Sequence, residues 1–247
     1  AHNWAVREAR GELVIVLDSD DALVPPALER LRYHWESIPD GERRAYAGLS
    51  PNSVDQNGRL VGRPFPRDVM DTDLREMYYR HGLKGDKLPC YRTDVLLAHP
   101  FPEGVKGVLI PESVVWFRIA RRYRLRFINE QLRVYYMDQP SLLRGSAPAR
   151  HAVGRRLMYL IRLNEDLEYL KHAPLLFLRM AANYSRYCFH AGVALRDQVG
   201  MLGPACARWL WLLTAPAGRL LYQADRWRDK LDRPAVHAAG RGDRARD

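Results

Sequence analysis

The chain has 247 residues, of which 47% are hydrophobic and 28% are charged. This length suffices for one medium domain with a smaller appendage, and the composition excludes a disordered protein. The formal charge is +10, and only five of the 39 basic residues are lysine, so arginine supplies nearly all of the positive charge. Arginine binds phosphate groups well, but this charge does not distinguish nucleic acid, anionic lipid and sugar nucleotides as partners.

The first residues predict a helix, a strand, an acidic loop and a second helix. Apolar residues at helical spacing over 2–10 are followed by Gly11, a common helix stop. The aliphatic run at 13–17 is typical of a strand that is buried on both faces in a parallel sheet. Pro25 and Pro26 then open the second helix, where proline is tolerated in the first turn.

The loop after that strand is the acidic cluster Asp18-Ser19-Asp20-Asp21. Its carboxylates repel one another, and α/β folds bind ligands in the crevice outside their strand ends. Mg²⁺ or Mn²⁺ would relieve the repulsion, because Mg²⁺ is commonly held by one or two carboxylates plus substrate phosphates. Two other interpretations stay open: an acidic N-cap of the next helix, and an aspartyl-phosphate hydrolase, which Ala22 disfavours.

The middle of the chain mixes loops with short elements. Turn signals over 36–70 predict loops and short strands. Apolar residues at helical spacing after Glu112 predict a helix that begins there, and two strands at 125–129 and 132–136 follow it.

Three features of this region have two interpretations each. Asp86 and Lys87, beside Gly85, indicate an exposed turn more than a binding-site element. Trp116 indicates core packing more than a platform for sugar stacking. The arginines between 118 and 126 indicate a solvated face more than a phosphate site.

The C-terminal part predicts helices without strands. The segment 199–222 is apolar but interrupted by proline and arginine, so it falls short of the roughly 20 residues that a membrane span needs. It fits either a helix packed on the protein or an interfacial helix on anionic lipid, whose basic flank would be Arg208, Arg219, Arg226 and Arg228.

Two segments resemble family two glycosyltransferases. AHNWAVREARGELVIVLDSDDALVP is similar to the family segment in which a helix and Gly-Glu precede a strand that ends in Asp-x-Asp-Asp. FPEGVKGVLIPESVVWFRIARRYRLRFINEQLRVYY is similar to its acceptor-side region, where an acidic residue opens a helix that an Ile-Asn-Glu strand follows. His2 stands where the family usually has Arg, and Ser113 stands where many members have the second acid of a Glu-Asp pair.

The resemblance implies an α/β fold in which residues 1–145 would be the C-terminal part of a GT-A (Rossmann-like) nucleotide-diphospho-sugar transferase domain. Helical patterns without strand signals predict a helical region over 146–235. The charged composition of the last residues predicts a disordered tail over 236–247. The family's N-terminal nucleotide-binding segment has no match here, so the resemblance implies that it precedes Ala1.

The resemblance also implies site roles. Asp18 and Asp20 would hold a divalent metal, Mn²⁺ or Mg²⁺. Asp18, Asp20 and Asp21 would bind the diphosphate of a nucleotide-sugar donor, and Glu112 would be the catalytic base.

The implied activity is the transfer of a sugar, with inversion, to a glycan or lipid-linked acceptor in bacterial surface or extracellular polysaccharide synthesis. The implied location is the cytoplasmic face of the membrane, with peripheral contact through the C-terminal helices and no nucleic-acid partner. Two alternatives remain: a truncated, inactive fold that binds partners, and a basic nucleic-acid-binding protein supported by charge alone.

Overall fold

The computed structural model describes residues 2–103, 109–137 and 147–231. The chain divides into two compact units, Ala1–Arg144 with Glu168–Pro174, and Gly145–Leu167 with Leu175–Asp247. The first is mixed α/β, and the described part of the second is helical. The predicted α/β fold followed by helices is therefore confirmed, while the tail predicted at 236–247 lies outside the described residues.

The first unit is built from short helices around one sheet. Its helices are α1 (His2–Glu8), α2 (Ala27–Glu36), α3 (Leu74–Tyr79), α4 (Thr93–Ala98) and α5 (Ser113–Ile119). Its strands are β1 (Leu13–Ile15), β2 (Ala22–Leu23), β3 (Tyr46–Asp55), β4 (Val69–Thr72), β5 (Cys90–Arg92) and β6 (Arg124–Tyr135). The helix α5 confirms the helix predicted after Glu112.

The sheet is mixed, with the strand order β1-β5-β3-β6-β2 and β4 paired with β6. The central pair β3 and β6 is parallel, and the other pairs are antiparallel. The long strand β6 merges the two strands predicted at 125–129 and 132–136. It pairs with β4 along its first half and with β2 near its end.

Helices cover both faces of the sheet. The helix α2 packs Leu31 and Trp35 on one face, against residues such as Leu49 and Ile128. Helices α3, α4 and α5 pack on the other face, around Phe127 and its neighbours. The alternation of side chains along each strand separates these two clusters.

The run at 13–17 forms a strand, as predicted, but the prediction that this strand belongs to a parallel sheet is wrong. The strand β1 covers only Leu13–Ile15, pairs antiparallel with β5 and is half-buried at one edge of the sheet. Val14 packs in the cluster on one face, while Leu13 and Ile15 pack in the cluster on the other. The continuous apolar run therefore reflects an edge strand that is covered on both of its faces. A central parallel strand is covered on both faces as well, so the run does not distinguish the two.

An ion pair joins β6 to α2. The Arg30 guanidinium donates to both carboxylate oxygens of Glu130, at 2.8 and 2.5 Å, and the Nε2 atom of His34 lies 2.7 Å from Glu130 Oε1. The hydrogen bonds from Arg30 and then His34 lower the pKa of Glu130 to about 2, against the opposing effect of burial.

Glu130→Gln is expected to lower the free energy of unfolding by about 1–2 kcal/mol at pH 7, since bonds to an ionised group contribute about 1.5–3 kcal/mol and partial exposure weakens them. Because the folded-state pKa is depressed, this contribution is present above pH 4.5 and is lost as pH falls through about 2. Urea unfolding at several pH values measures it. Glu36→Gln, which breaks an exposed pair with Arg32, should change stability by less than about 0.5 kcal/mol.

The C-terminal helices are α6 (Ala152–Glu165), α7 (Pro174–His190), α8 (Leu195–Gly200) and α9 (Ala205–Leu231). Short 3₁₀ helices cover Arg43–Ala45, Pro148–His151 and Leu167–Tyr169. These assignments confirm the helical C-terminal region within the described residues. None of the helices in the described ranges has the length and apolar character that crossing a membrane requires.

Candidate active site

The acidic cluster forms a loop that links β1 to β2. The side chains of Asp18 and Asp20 are exposed, whereas that of Asp21 is fully enclosed. The backbone N–H of Asp21 donates to the carbonyl of Asp18 at 3.1 Å, which closes a turn. The N-cap of α2 is Pro26, and no side chain caps it, so the interpretation of the cluster as a helix cap is wrong.

A buried arginine lies beneath this loop. Arg133 is on β6, opposite Leu23 of β2, and its side chain is 2% exposed. Its Nη1 lies 3.2 Å from Asp21 Oδ2, its Nη2 donates to Asp86 Oδ1 at 2.5 Å, and its Nε donates to Ser53 Oγ at 3.0 Å. One guanidinium therefore connects the acidic loop to the loop that precedes β5.

The pairing with Arg133 changes the role expected for Asp21. Burial raises the pKa of Asp21, and the positive charge of Arg133 opposes that rise. The Oδ1 atom accepts a backbone hydrogen bond from Tyr136 at 3.3 Å. An enclosed carboxylate that faces an arginine is an anchor of the loop, and Asp18 and Asp20 are the carboxylates that face solvent.

Glu112 lies at the N-terminus of α5, where its side chain makes no capping hydrogen bond. Its Oε1 is 3.4 Å from Nε2 of His2. Burial raises the pKa of Glu112, and repulsion from Asp18 and then Asp86 raises it further, while a hydrogen bond from the Trp116 side chain partly opposes the rise. The structure therefore brings Glu112 into the electrostatic field of the acidic loop, although the two lie far apart in sequence.

His2 lies beside Glu112 and within the electrostatic field of Asp18. Burial lowers its pKa, and the negative charge of Asp18 opposes that change. Its ring packs edge-on against Phe101, with the centroids 4.8 Å apart. At the position where family two glycosyltransferases usually have Arg, this chain thus has a histidine that contacts Glu112 and interacts electrostatically with Asp18.

Asp86 and Lys87 are not a free, solvated turn. Asp86 is half-exposed but is paired with Arg133. The ammonium group of Lys87 donates to Asn52 Oδ1 at 2.6 Å and to the Arg63 carbonyl at 3.0 Å. Burial lowers the pKa of Lys87 to about 8, with a smaller contribution from the charge of Arg133. The interpretation as an exposed turn therefore agrees with the exposure of Asp86 and is wrong for Lys87, which is half-buried and hydrogen-bonded.

The interpretation of Trp116 as a core residue is confirmed. Its ring is stacked on Tyr91, with centroids 4.6 Å apart, and meets Phe101 edge-on. In the arginine run, Arg126 donates to both carboxylate oxygens of Asp71, at 2.8 and 2.7 Å. That side chain has a structural partner and does not present a free guanidinium to phosphate.

The metal-ligand set at the loop is small. In the part of the chain that the structure describes, no three or more His, Cys, Asp or Glu side chains group as a metal-ion site. Asp18 and Asp20 are hard oxygen ligands, and two carboxylates suit Mg²⁺ or Mn²⁺ when phosphate oxygens complete the coordination. The donor chemistry therefore fits a metal that arrives with a diphosphate.

The first unit also has a pocket of about 560 Å³, which lies away from the candidate carboxylates. Residues of α1 and α4 line it, Arg7 and Leu97 among them, together with Glu103, and none of the candidate carboxylates does. The candidate site lies at the carboxylates, because Glu112, whose pKa is raised, lies beside His2 and in the field of Asp18 there.

The chain matches no model of a known protein family and no curated protein.

Proposed function

We propose that the chain is part of an inverting glycosyltransferase with a GT-A domain, acting on a nucleotide-sugar donor and a glycan or lipid-linked acceptor. The observation that carries this proposal is that Glu112 lies in the electrostatic field of Asp18, an exposed carboxylate of the acidic loop. Separate segments resemble the donor and acceptor regions of one family, and these segments supply the two groups of acids. The proposed setting is polysaccharide synthesis at the cytoplasmic face of the membrane.

Each carboxylate would have a distinct task in this reaction. Glu112 would take the proton of the acceptor hydroxyl as that oxygen bonds to the anomeric carbon, and the bond from that carbon to the diphosphate breaks with its electron pair. Asp18 and Asp20 would hold the divalent ion, which supplies Lewis-acid stabilisation to the leaving diphosphate. The raised pKa of Glu112 suits a general base, since a base is most effective when its pKa approaches the working pH.

Asp20→Asn tests the donor site. The unaltered chain is expected to bind nucleoside diphosphates and their sugar conjugates only with Mn²⁺ or Mg²⁺, and the variant at least about tenfold more weakly, which corresponds to about 1.4 kcal/mol. Calorimetric titration with and without the metal measures this. Both proteins are also titrated with any upstream coding sequence included, because the segment that binds the nucleotide base in the family has no match in these 247 residues.

Asp40→Asn is the matched control, because the side chain of Asp40 is 89% exposed and contacts only Arg43 among the ion pairs of the described residues. It should bind the donor as the unaltered protein does. Absence of metal-dependent binding in both lengths of the protein would contradict the transferase proposal and favour an inactive fold that binds partners.

A further inference from the structure

The long helix α9 has two apolar faces, and one of them packs against α7 of the same unit. On the inner face, the Cα of Gly218 closely approaches α7, where an added Cβ would lie 2.5 Å from the carbonyl of Ala182. Asp225 accepts two hydrogen bonds from Arg186, both at 2.6 Å, and lies 2.9 Å from His190 Nε2. These contacts fix which side of α9 faces α7.

The opposite face of α9 carries a second apolar stripe. Trp209, Leu213, Leu220 and Trp227 stand at positions i, i+4, i+11 and i+18, which share one face of an α-helix. Their exposed fractions are 66, 74, 65 and 65%. Large apolar side chains scattered singly on a surface are ordinary, but four in line on one helix form a contiguous surface of the kind that marks an interaction site.

A row of basic side chains borders this stripe along one edge. Its exposed members stand at i, i+11, i+18 and i+22, and they are Arg208, Arg219, Arg226 and Lys230. The guanidinium of Arg219 packs over the rings of Phe189 and Tyr222, at 4.8 and 5.2 Å, which holds it at the surface. Among the side chains of α9 that the structure describes, no exposed one is a carboxylate.

This arrangement fits an anionic lipid surface. Helices that lie in the membrane interface present Trp and Leu on one face and Lys or Arg beside it, so that rings enter the headgroup region while the charges meet lipid phosphates. A second copy of the chain fits less well. An antiparallel pairing of two stripes would place basic edge against basic edge, and a parallel pairing would leave each basic edge without an acid.

We propose that α9 docks flat on an anionic lipid bilayer, with the stripe Trp209, Leu213, Leu220 and Trp227 in the interface and the basic row against lipid phosphates. The inference is independent of the proposed transferase reaction, because none of its residues belongs to the candidate active site.

Co-sedimentation of the full chain with lipid vesicles tests the docking. Vesicles of phosphatidylglycerol and phosphatidylcholine in equal parts are expected to bind the protein, and phosphatidylcholine alone to bind it far more weakly. The double variant Trp209→Ser/Leu213→Ser should bind the anionic vesicles at least about thirtyfold more weakly, since each buried apolar side chain contributes strongly. Arg226→Gln/Lys230→Gln should lose about fivefold for each charge removed.

The matched control is Leu175→Ser/Leu195→Ser, which removes two exposed leucines, 79 and 53% exposed, that lie outside α9. It should bind vesicles normally, and all variants should keep the thermal midpoint of the unaltered protein because their side chains face solvent. Equal binding to both vesicle types, or unchanged binding by the stripe variant, would overturn the proposal. So would a dimer in light scattering that the stripe variant dissociates while no protein binds vesicles.

Discussion

Arg133→Met is expected to lower the free energy of unfolding by about 3–5 kcal/mol at pH 7, because removing one partner of a buried ion pair leaves an uncompensated charge. The charge left behind is that of Asp21, whose side chain is fully enclosed beside Arg133. The midpoint of urea unfolding measures the loss. Met fills a similar volume, so the change isolates the charge and hydrogen bonds from packing.

Two further variants distinguish this explanation from a simple packing defect. Asp21→Asn in the Arg133→Met background should recover part of the lost stability, as a double-mutant cycle would show. Asp86→Asn should lower stability by less than about 1 kcal/mol, because Asp86 is half-exposed. No recovery by Asp21→Asn would contradict the explanation that the loss comes from an uncompensated charge on Asp21.

The pH dependence of the stability of Arg133→Met is a second, independent test of this explanation. Burial already raises the pKa of Asp21 in the folded protein, and loss of the guanidinium should raise it further. A carboxyl group whose folded-state pKa lies above its unfolded value favours folding at low pH, and that advantage is lost as pH rises through the folded-state pKa. The stability difference between the unaltered protein and Arg133→Met should therefore shrink as pH is lowered.

The sequence predicts local features of this protein well and long-range partners poorly. The helix after Glu112 and the core role of Trp116 follow from helical spacing, which is local. The environment of Asp21 depends on β6, whose Arg133 is remote in sequence. In the pattern Leu132-Arg133-Val134, strand alternation assigns the arginine to a polar face, and only the loops that fold over that face bury it.

The signal that sequence reasoning missed was Arg133, the one charged residue among the apolar and aromatic residues of the strand predicted at 132–136. The sequence predicts an exposed turn at Asp86 and Lys87 for a related reason, since charged residues beside Gly85 are typical of turns. The partners of Lys87 and Asp86, which are Asn52 and Arg133, lie on β3 and β6. Buried ion networks of this kind require the three-dimensional pairing of strands and loops, which a one-dimensional pattern does not encode.

Charge balance links this network to the proposed chemistry. Asp18, Asp86 and Glu112 interact unfavourably, and the positive charge of Arg133 acts on Glu112 in the opposite direction. Asp18 would hold the divalent ion, and an Asp18 neutralised in this way would no longer raise the pKa of Glu112. The ionised form of Glu112, which is the form a base requires, would then be favoured.

Glu112→Gln is expected to reduce kcat by about 10²–10⁴-fold with little change in metal-dependent donor binding, because a positioned general base contributes that much and Gln accepts no proton. Since the pKa of Glu112 is raised, activity of the unaltered protein should fall as pH decreases through that raised pKa, and the variant should lack this limb. Steady-state rates across pH, with donor and acceptor varied separately, measure both effects.

The contrary expectation is that Glu112 serves only the structure of α5. In that case Glu112→Gln would lower the unfolding midpoint and leave kcat and its pH dependence unchanged. The absence of a capping hydrogen bond from Glu112 weakens that role, because a stabilising terminal acid normally accepts from the first N–H groups of its helix. Glu103→Gln is the control, since Glu103 is another glutamate of this unit but is exposed and pairs with Arg7. It should keep the kcat of the unaltered protein, so that a loss confined to Glu112→Gln assigns the proton transfer to that carboxylate.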